Sequence, residues 1–273
     1  MRIVEKVLRA DRGEIHYWTF FVENNRPWLV FLPGLTADHH LFDRQIVELG
    51  EKYNCLVWDA PGHGKSRPFP LTFSMDDMAQ YLFRILQVER ICRPVLVGQS
   101  MGGFLSQVFL ELHPRSASGF VSLDSAPMGR QYYTAAEILF LKHTERMYLS
   151  IPWELLISWG ACGMSSTKYG RSVMRWIMQC YERKEYCALA AHGYRIVAEA
   201  VETERAYEIK CPVLLLCGEK DNAGSCRRYS RSWSRETGYA LVWVPGAGHN
   251  SNTDRPEFVN RKIEQFIRSL PVS

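Results

Sequence analysis

Short apolar runs that end at glycine, proline or aspartate are the feature that most constrains the fold of this 273-residue chain. Four such runs lie in the first half of the sequence, at residues 28–32, 55–58, 95–97 and 120–123. They are apolar at consecutive positions, which is typical of strands buried on both faces of a parallel sheet. We therefore predict that they are central strands of one sheet.

Helical patterns separate these strands. Apolar residues recur at helical spacing over residues 75–91, after the potential cap Ser74, and again in the segment that follows Ser100. Strand–helix–strand units in repetition connect by right-handed crossovers. The pattern therefore predicts an α/β fold with a doubly wound, mostly parallel sheet.

The strand–helix alternation stops in the middle of the chain. Residues 129–207 read as successive helices rich in Trp, Met and Leu, and strand patterns resume at residues 213–216 and 240–244. We predict a core of residues 1–128 and 208–273, with residues 129–207 inserted as a helical cap. The apolar content of this cap is compatible with an apolar ceiling over a pocket or with packing of the cap onto the core.

Composition and charge exclude several classes of protein. The 33 Lys and Arg residues against 29 Asp and Glu give a net charge of +4, which does not predict binding to nucleic acid. No apolar run approaches the roughly 20 residues of a membrane helix, and the first residues lack a signal-peptide pattern. We predict a cytoplasmic protein without a membrane span, as a monomer or homodimer. The eight cysteines are predicted to be reduced thiols, and without zinc-like spacing of Cys and His we predict no metal and no cofactor.

A G-x-S-x-G motif is the sharpest chemical signal. Gly98-Gln99-Ser100-Met101-Gly102 follows a predicted buried strand and opens a predicted helix. Small residues on either side allow the tight turn of a nucleophile elbow, which presents the serine hydroxyl. The free N–H groups and positive dipole end of the following helix would favour a developing oxyanion there. Ser100 is therefore the candidate nucleophile.

A nucleophilic serine needs a histidine base and a carboxylate that orients it. Of the eight histidines, His249 lies in a glycine-rich loop directly after the last predicted strand, so it is the candidate base. Asp221 and Asp124 both follow predicted strands, where α/β sheets place ligand-binding residues. We favour Asp221 as the acid because its strand-end loop also contains Gly218, and Asp124 remains the alternative.

These segments together resemble the α/β-hydrolase fold family over nearly the whole chain. The matching pieces are Leu32-Pro33-Gly34, the Asp59-to-Ser66 segment, the motif at 98–103, Gly218-Glu219-Lys220-Asp221 and Gly248-His249. The resemblance implies that Ser100, His249 and Asp221 form a catalytic triad. It also implies an oxyanion hole made by the backbone N–H groups of Leu35 and Met101. Pro33 replaces a histidine that many members have, which leaves the geometry of the oxyanion loop open.

The resemblance further implies a serine hydrolase that cleaves a small, largely apolar carboxylic ester, lactone or thioester through an acyl-serine intermediate. Members such as haloalkane dehalogenases and epoxide hydrolases have an aspartate at the elbow, so Ser100 argues against their chemistry. The same triad serves C–C hydrolases, lyases and perhydrolases, and a slow-turnover receptor for a small ligand is also compatible with the sequence. A small-molecule substrate is expected in each enzymatic case.

Overall fold

The computed structural model describes residues 2–203 and 208–271. Eight strands form one sheet in these residues. The strands are β1 (Arg2–Ala10), β2 (Gly13–Phe21), β3 (Trp28–Leu32), β4 (Asn54–Trp58), β5 (Val95–Gln99), β6 (Gly119–Leu123), β7 (Val213–Gly218) and β8 (Ala240–Val244). Their order across the sheet is β1-β2-β4-β3-β5-β6-β7-β8. Strand β2 pairs antiparallel with both β1 and β4. The six strands β3 to β8 run parallel to one another.

Helices connect the parallel strands and cover the sheet. They are α1 (Asp43–Leu49), α2 (Met75–Val88), α3 (Met101–Leu112), α4 (Ala135–Lys142), α5 (Glu145–Ser150), α6 (Trp153–Met164), α7 (Lys168–Gln179), α8 (Arg183–Glu202), α9 (Cys226–Thr237), α10 (Ser251–Asp254) and α11 (Pro256–Ser269). The six predicted strands and the doubly wound, mostly parallel sheet are confirmed.

Burial on both faces explains why the central strands are apolar at consecutive positions. In β3, Val30 and Leu32 pack into the core on one face of the sheet, while Leu29 and Phe31 pack into the core on the other. All four side chains are fully buried. Helices α2, α3, α8 and α9 contribute to the first core, and α1, α6, α7 and α11 contribute to the second.

The N-terminal hairpin lies outside what the sequence patterns indicated. Strands β1 and β2 pair over their whole length around the turn after Ala10, and β2 then joins the sheet beside β4. On β1, polar side chains such as Glu5 and Lys6 interrupt the apolar positions, because this strand lies at the sheet edge and is partly exposed. This mixed sequence gives none of the continuous apolar signal that marks the central strands.

Helix α2 begins where the sequence predicted and ends earlier. Ser74 caps it in a reciprocal capping box with Asp77, which satisfies two backbone N–H groups of the first turn. The helix ends at Val88 and not at residue 91, because Arg90 adopts a left-handed φ of 53°. That conformation cannot continue a right-handed helix.

Helices α4 to α8 all lie between β6 and β7 in the chain, within residues 129–207. Several of the apolar residues in this segment are buried in the second core, among them Leu156, Ile157, Met174 and Ile177. Others face solvent, including Trp159, which is 60% exposed. The predicted C-terminal end of the cap falls on residues 204–207, which lie outside the described residues.

Among residues 2–203 and 208–271, no helix combines the length and the apolar character that a bilayer crossing requires. All eight cysteines are free thiols: Cys92, Cys162 and Cys180 are exposed, Cys211 is partly buried, and the other four are buried.

Candidate active site

The turn between β5 and α3 holds Ser100 in a rare backbone conformation. Its φ of 50° and ψ of −116° fall where a non-glycine residue persists only when the surroundings fix it. The Ser100 N–H donates to the Leu123 carbonyl at 2.9 Å, and the Ser125 hydroxyl donates to the Ser100 carbonyl at 2.7 Å. The backbone N–H of Ser100 is therefore held by β6, and its backbone carbonyl is held by the loop after β6.

Close backbone approach explains why a glycine lies two positions after the serine at the elbow. A Cβ atom on Gly102 would lie 1.9 Å from the Leu32 carbonyl oxygen at the end of β3. A backbone atom cannot move out of the way as a flexible side chain can. Glycine at this position therefore lets the start of α3 pack directly against the strand that precedes the Pro33-Gly34 loop.

The structure brings Ser100, His249 and Asp221 together, although 149 and 28 positions separate the bonded residues in sequence. The His249 Nε2 atom lies 2.9 Å from Ser100 Oγ, and its Nδ1 atom lies 2.9 Å from Asp221 Oδ2. With the proton on Nδ1, the imidazole donates to the carboxylate and can accept the serine proton on Nε2. This is the geometry that an activated serine nucleophile requires.

Charge and burial act in opposite directions on this pair. Burial alone would raise the pKa of Asp221, but the charge and the hydrogen bond of His249 outweigh it and hold the pKa below its ordinary value. Burial would likewise lower the pKa of His249, but the Asp221 carboxylate outweighs it and raises the pKa. An ionised Asp221 therefore stabilises a protonated His249 in a site where water screens little.

Asp124, the alternative acid, has a different set of partners. Its carboxylate accepts from the backbone N–H of Gly218 at 2.7 Å and from that of Ser251 at 2.9 Å. Burial, together with the nearby charge of Asp221, raises its pKa well above the ordinary range. Asp124 thus joins β7 to the segment after His249. The carboxylate that lies against His249 Nδ1 is that of Asp221.

The loop after β3 lies against Ser100 and the residue before it. A Cβ atom on Gly34 would lie 2.2 Å from Gln99 Oε1 and 3.0 Å from Ser100 Cβ. Leu35 is the next residue in this loop. The N–H of Met101, at the first position of α3, has no acceptor within its own helix. The two predicted oxyanion donors therefore belong to segments that flank Ser100.

Helix α8 packs onto this same loop. A Cβ atom on Gly193 would lie 2.1 Å from Leu35 Cδ1, so the helix and the Leu35 side chain are in tight contact. The Tyr186 hydroxyl lies 3.3 Å from the hydroxyl of Thr36, which in turn donates to the Leu35 carbonyl at 2.7 Å. The middle helical segment thus contacts the loop that is predicted to hold one oxyanion donor.

Three residues near the site were missed by sequence reasoning. The buried Gln99 side chain donates to the His249 carbonyl at 3.0 Å and to Asn250 Oδ1 at 3.1 Å. The Cys226 thiol contacts the Asp221 carboxylate and helps to lower its pKa. Asp254 accepts from the Gly248 N–H at 2.8 Å. The sequence offered a signal for Gln99 alone, which is a polar residue at the first variable position of the G-x-S-x-G motif.

Within the part of the chain that the structure describes, two groups of side chains have donor atoms spaced as a metal would need. One is Asp38, His39 and His40, and the other is Cys217, Asp221 and Cys226. In the first group, His40 Nδ1 lies against Asp38 and His39 Nδ1 against Asp59, at 3.1 and 2.9 Å. In the second, the Asp221 carboxylate already binds His249. We assign neither group to a metal, because hydrogen bonds within the protein account for these atoms.

Comparison with known proteins agrees with this fold. Residues 29–262 match the sequence model described as the alpha/beta hydrolase family. Similar proteins include 2-succinyl-6-hydroxy-2,4-cyclohexadiene-1-carboxylate synthase of Serratia proteamaculans, which is 25% identical over 90% of this chain and 94% of its own length. The 2-(acetamidomethylene)succinate hydrolase of Mesorhizobium japonicum is 22% identical, with 88% of each chain covered. Among solved structures, a thermophilic esterase from Thermogutta terrifontis superposes with a TM-score of 0.77 at 20% identity, covering 98% of both chains.

The sheet order and the serine at a strand–helix elbow define an α/β protein. Its polar site lies at the carboxyl ends of the parallel strands. The family match covers most of the chain, and the chain belongs to the α/β-hydrolase family.

Proposed function

We propose that the protein is a serine hydrolase that cleaves a small carboxylic ester, lactone or thioester, with Ser100 as nucleophile, His249 as base and Asp221 as the orienting acid. The supporting observation is the continuous hydrogen-bonded series from Ser100 Oγ through His249 to Asp221, with both distances at 2.9 Å. The strained serine at its start is the second support, since such strain collects at functional sites.

In the first half of the reaction, Ser100 Oγ attacks the carbonyl carbon of the substrate while its proton passes to His249 Nε2. The carbonyl oxygen becomes an oxyanion that accepts from the backbone N–H groups of Leu35 and Met101. His249 then gives the proton to the leaving oxygen or sulfur as its bond to carbon breaks. An acyl-Ser100 ester remains, and the alcohol or thiol departs.

In the second half, water replaces the leaving group. His249 Nε2 takes a proton from the water as its oxygen attacks the acyl carbon, and the same two backbone donors hold the second oxyanion. His249 returns the proton to Ser100 Oγ when the acyl bond breaks. The products are the free carboxylic acid and the unmodified serine, so the cycle needs no cofactor.

The middle helices are proposed to act as the cap over this site, as the division into residues 1–128 with 208–273 and 129–207 anticipates. The contacts of Gly193 and Tyr186 with the loop of Leu35 support this role. Substrate bound at Ser100 would then lie between the strand ends and α8. The cap therefore determines the size and polarity of the acyl group that fits.

Turnover of short p-nitrophenyl esters by wild type and the Ser100→Ala variant tests the proposal. We expect the variant to fold normally and to lose at least about 10³-fold in kcat. Ser106→Ala is the matched control, because Ser106 lies on the helix that follows Ser100 and its hydroxyl donates to the Gly102 carbonyl at 2.8 Å. Undiminished turnover in Ser100→Ala would show that another group is the nucleophile.

A second candidate is a carbon–carbon bond reaction or hydrolysis on a substrate that bears carboxylates. It is favoured by the two curated relatives, whose names specify a cyclohexadiene carboxylate synthase and a succinate hydrolase. A substrate panel of neutral esters, lactones, thioesters and succinyl-bearing acids discriminates between the candidates. Activity confined to the carboxylated compounds would replace the apolar ester with this second class.

A further inference from the structure

Asp254 is a buried carboxylate that the reaction described above does not use. It is the last residue of α10, five positions after His249, and only 5% of its surface is exposed. An ionised carboxylate is costly to bury unless hydrogen bonds replace its hydration. Its partners therefore indicate what the residue holds in position.

The partners of Asp254 come from two separate parts of the chain. On the side of the histidine loop, the Gly248 N–H donates to Oδ2 at 2.8 Å. On the side of the middle helices, the turn between α6 and α7, residues 165–167, provides the other donors. The N–H of Ser166 donates to Oδ2 at 2.8 Å and the N–H of Thr167 donates to Oδ1 at 3.0 Å.

Hydroxyl groups of the same turn complete the coordination. The Thr167 hydroxyl donates to Oδ1 at 2.7 Å, and the Ser165 hydroxyl also donates to Oδ1. The Ser166 hydroxyl lies within reach of both Oδ2 and the Gly246 carbonyl, at 2.9 and 2.7 Å. Every partner that the structure describes for this carboxylate is a neutral donor.

These hydrogen bonds outweigh the cost of burial. Burial would raise the pKa of Asp254, but the donors from Ser165, Ser166, Thr167 and Gly248 hold it below its ordinary value. The carboxylate is thus ionised at neutral pH, and each donor bonds to a charged acceptor, which is the stronger kind of hydrogen bond.

A second contact joins the same two segments beside Asp254. The Asn250 N–H, directly after His249, donates to the Met164 carbonyl at the end of α6 at 2.7 Å. The backbone on both sides of His249 is therefore bonded to the α6–α7 turn, through Asp254 at Gly248 and directly at Asn250. No residue of this turn contacts Asp221 or Ser100 in the hydrogen bonds that the structure describes.

We propose that Asp254 is a positioning residue that holds the α6–α7 turn of the cap and the loop of His249 against each other. The position of the His249 imidazole then depends on the position of this part of the cap. The inference rests on the proposed role of His249 as the base. Loosening the turn would then displace the imidazole relative to Ser100, and a misplacement of about 1 Å can reduce a rate about 10²-fold.

The test compares Asp254→Asn with wild type by steady-state kinetics and by amide hydrogen exchange. We expect kcat to fall about tenfold or more while KM changes by less than about threefold, because the imidazole moves and the pocket remains. Exchange should become faster in residues 164–170 and in residues 245–250 together. Asn54→Ala is the matched control, since Asn54 is a buried side chain that bonds Glu23, Arg26 and Val22 at the far end of β4. It should lower Tm without either effect.

Ser165→Ala serves as a second variant if Asp254→Asn does not fold. It removes one donor to Asp254 within the cap turn and leaves the histidine loop unaltered, so faster exchange in residues 245–250 reports that loosening of the turn reaches that loop. A lower Tm with unchanged kcat, or faster exchange in only one of the two segments, would overturn the proposal.

If wild type shows no turnover on any substrate, the proposed function fails. The proposed link through Asp254 between the α6–α7 turn and the His249 loop, here called the tie, is then judged from hydrogen exchange and from NMR titration of His249. In that case, joint loosening of both segments with a shifted His249 titration supports the tie. Independent loosening of the two segments rejects it.

Discussion

Replacing Asp221 by asparagine tests the acid assignment most directly. In the present geometry the carboxylate accepts from the Ala223 N–H at 2.9 Å through Oδ1 and faces His249 Nδ1 through Oδ2. If the asparagine oxygen stays on Ala223, its NH₂ group faces Nδ1. That arrangement favours the tautomer with the proton on Nε2, which donates to Ser100 and cannot accept the serine proton.

The size of the effect follows from the charge that the substitution removes. A carboxylate and an imidazolium whose charge centres lie about 4 Å apart attract by about 4 kcal/mol at an effective dielectric constant of about 20. Since each 1.36 kcal/mol is about tenfold in rate, loss of this attraction costs about 10³-fold. The wrong tautomer of His249 adds to this loss, so we expect kcat to fall about 10³- to 10⁴-fold in Asp221→Asn.

The assay measures kcat on a short p-nitrophenyl ester for Asp221→Asn and for Asp124→Asn, with circular dichroism to check that both variants fold. Because Asp124 bonds two backbone N–H groups and not the imidazole, its variant should lose less than about tenfold in kcat. A loss in Asp124→Asn as large as that expected for Asp221→Asn would refute the assignment. So would an Asp221→Asn variant within about tenfold of wild type.

Two further predictions concern His249 and the cap. The rate constant kcat/KM requires neutral His249, whose pKa is raised by Asp221, so activity should rise with pH around a midpoint above the ordinary value of 6.5. In Asp221→Asn the burial of His249 remains while the Asp221 charge that raises its pKa is gone, so the midpoint in a pH–rate profile should move to lower pH than in wild type; an unmoved midpoint would show that another group titrates. Gly193→Ala should reduce kcat several-fold by pushing on the Leu35 side chain, which a Cβ atom there would approach to 2.1 Å. Gly163→Ala is its control in the same helical segment, because a Cβ atom there meets nothing within 4 Å; it should raise Tm slightly and leave kcat unchanged, and equal losses in both variants would contradict a specific contact with Leu35.

Much of the fold was predictable because its signals are local. The central strands are apolar at consecutive positions since both of their faces are buried, and the Gly98-to-Gly102 motif lies at a strand–helix junction as its small residues require. The capping box of Ser74 is also a local pattern, contained within four residues. Such features appear in the sequence before any long-range contact is known.

The remaining features depend on contacts between distant segments. Asp124 and Asp221 both follow strands, and only the packing of β7 beside β6 decides which carboxylate faces His249. Asp254 reads as an ordinary acid near a helix start, since all of its donors except the Gly248 N–H lie 87 to 89 positions away in the sequence. The hairpin of β1 and β2 was missed because polar side chains interrupt the apolar ones along the edge strand β1.

The distribution of the free thiols gives this chain its own sites for chemical labelling. Cys162 and Cys180 are exposed on or beside α6 and α7, and Cys92 is exposed between α2 and β5. Spin labels on Cys162 and Cys92, after Cys180→Ser, would report the distance between the middle helices and the sheet by electron resonance without any introduced cysteine. Since Cys162 lies three positions before the turn that Asp254 holds, the width of that distance distribution would measure how firmly the two parts are joined in solution.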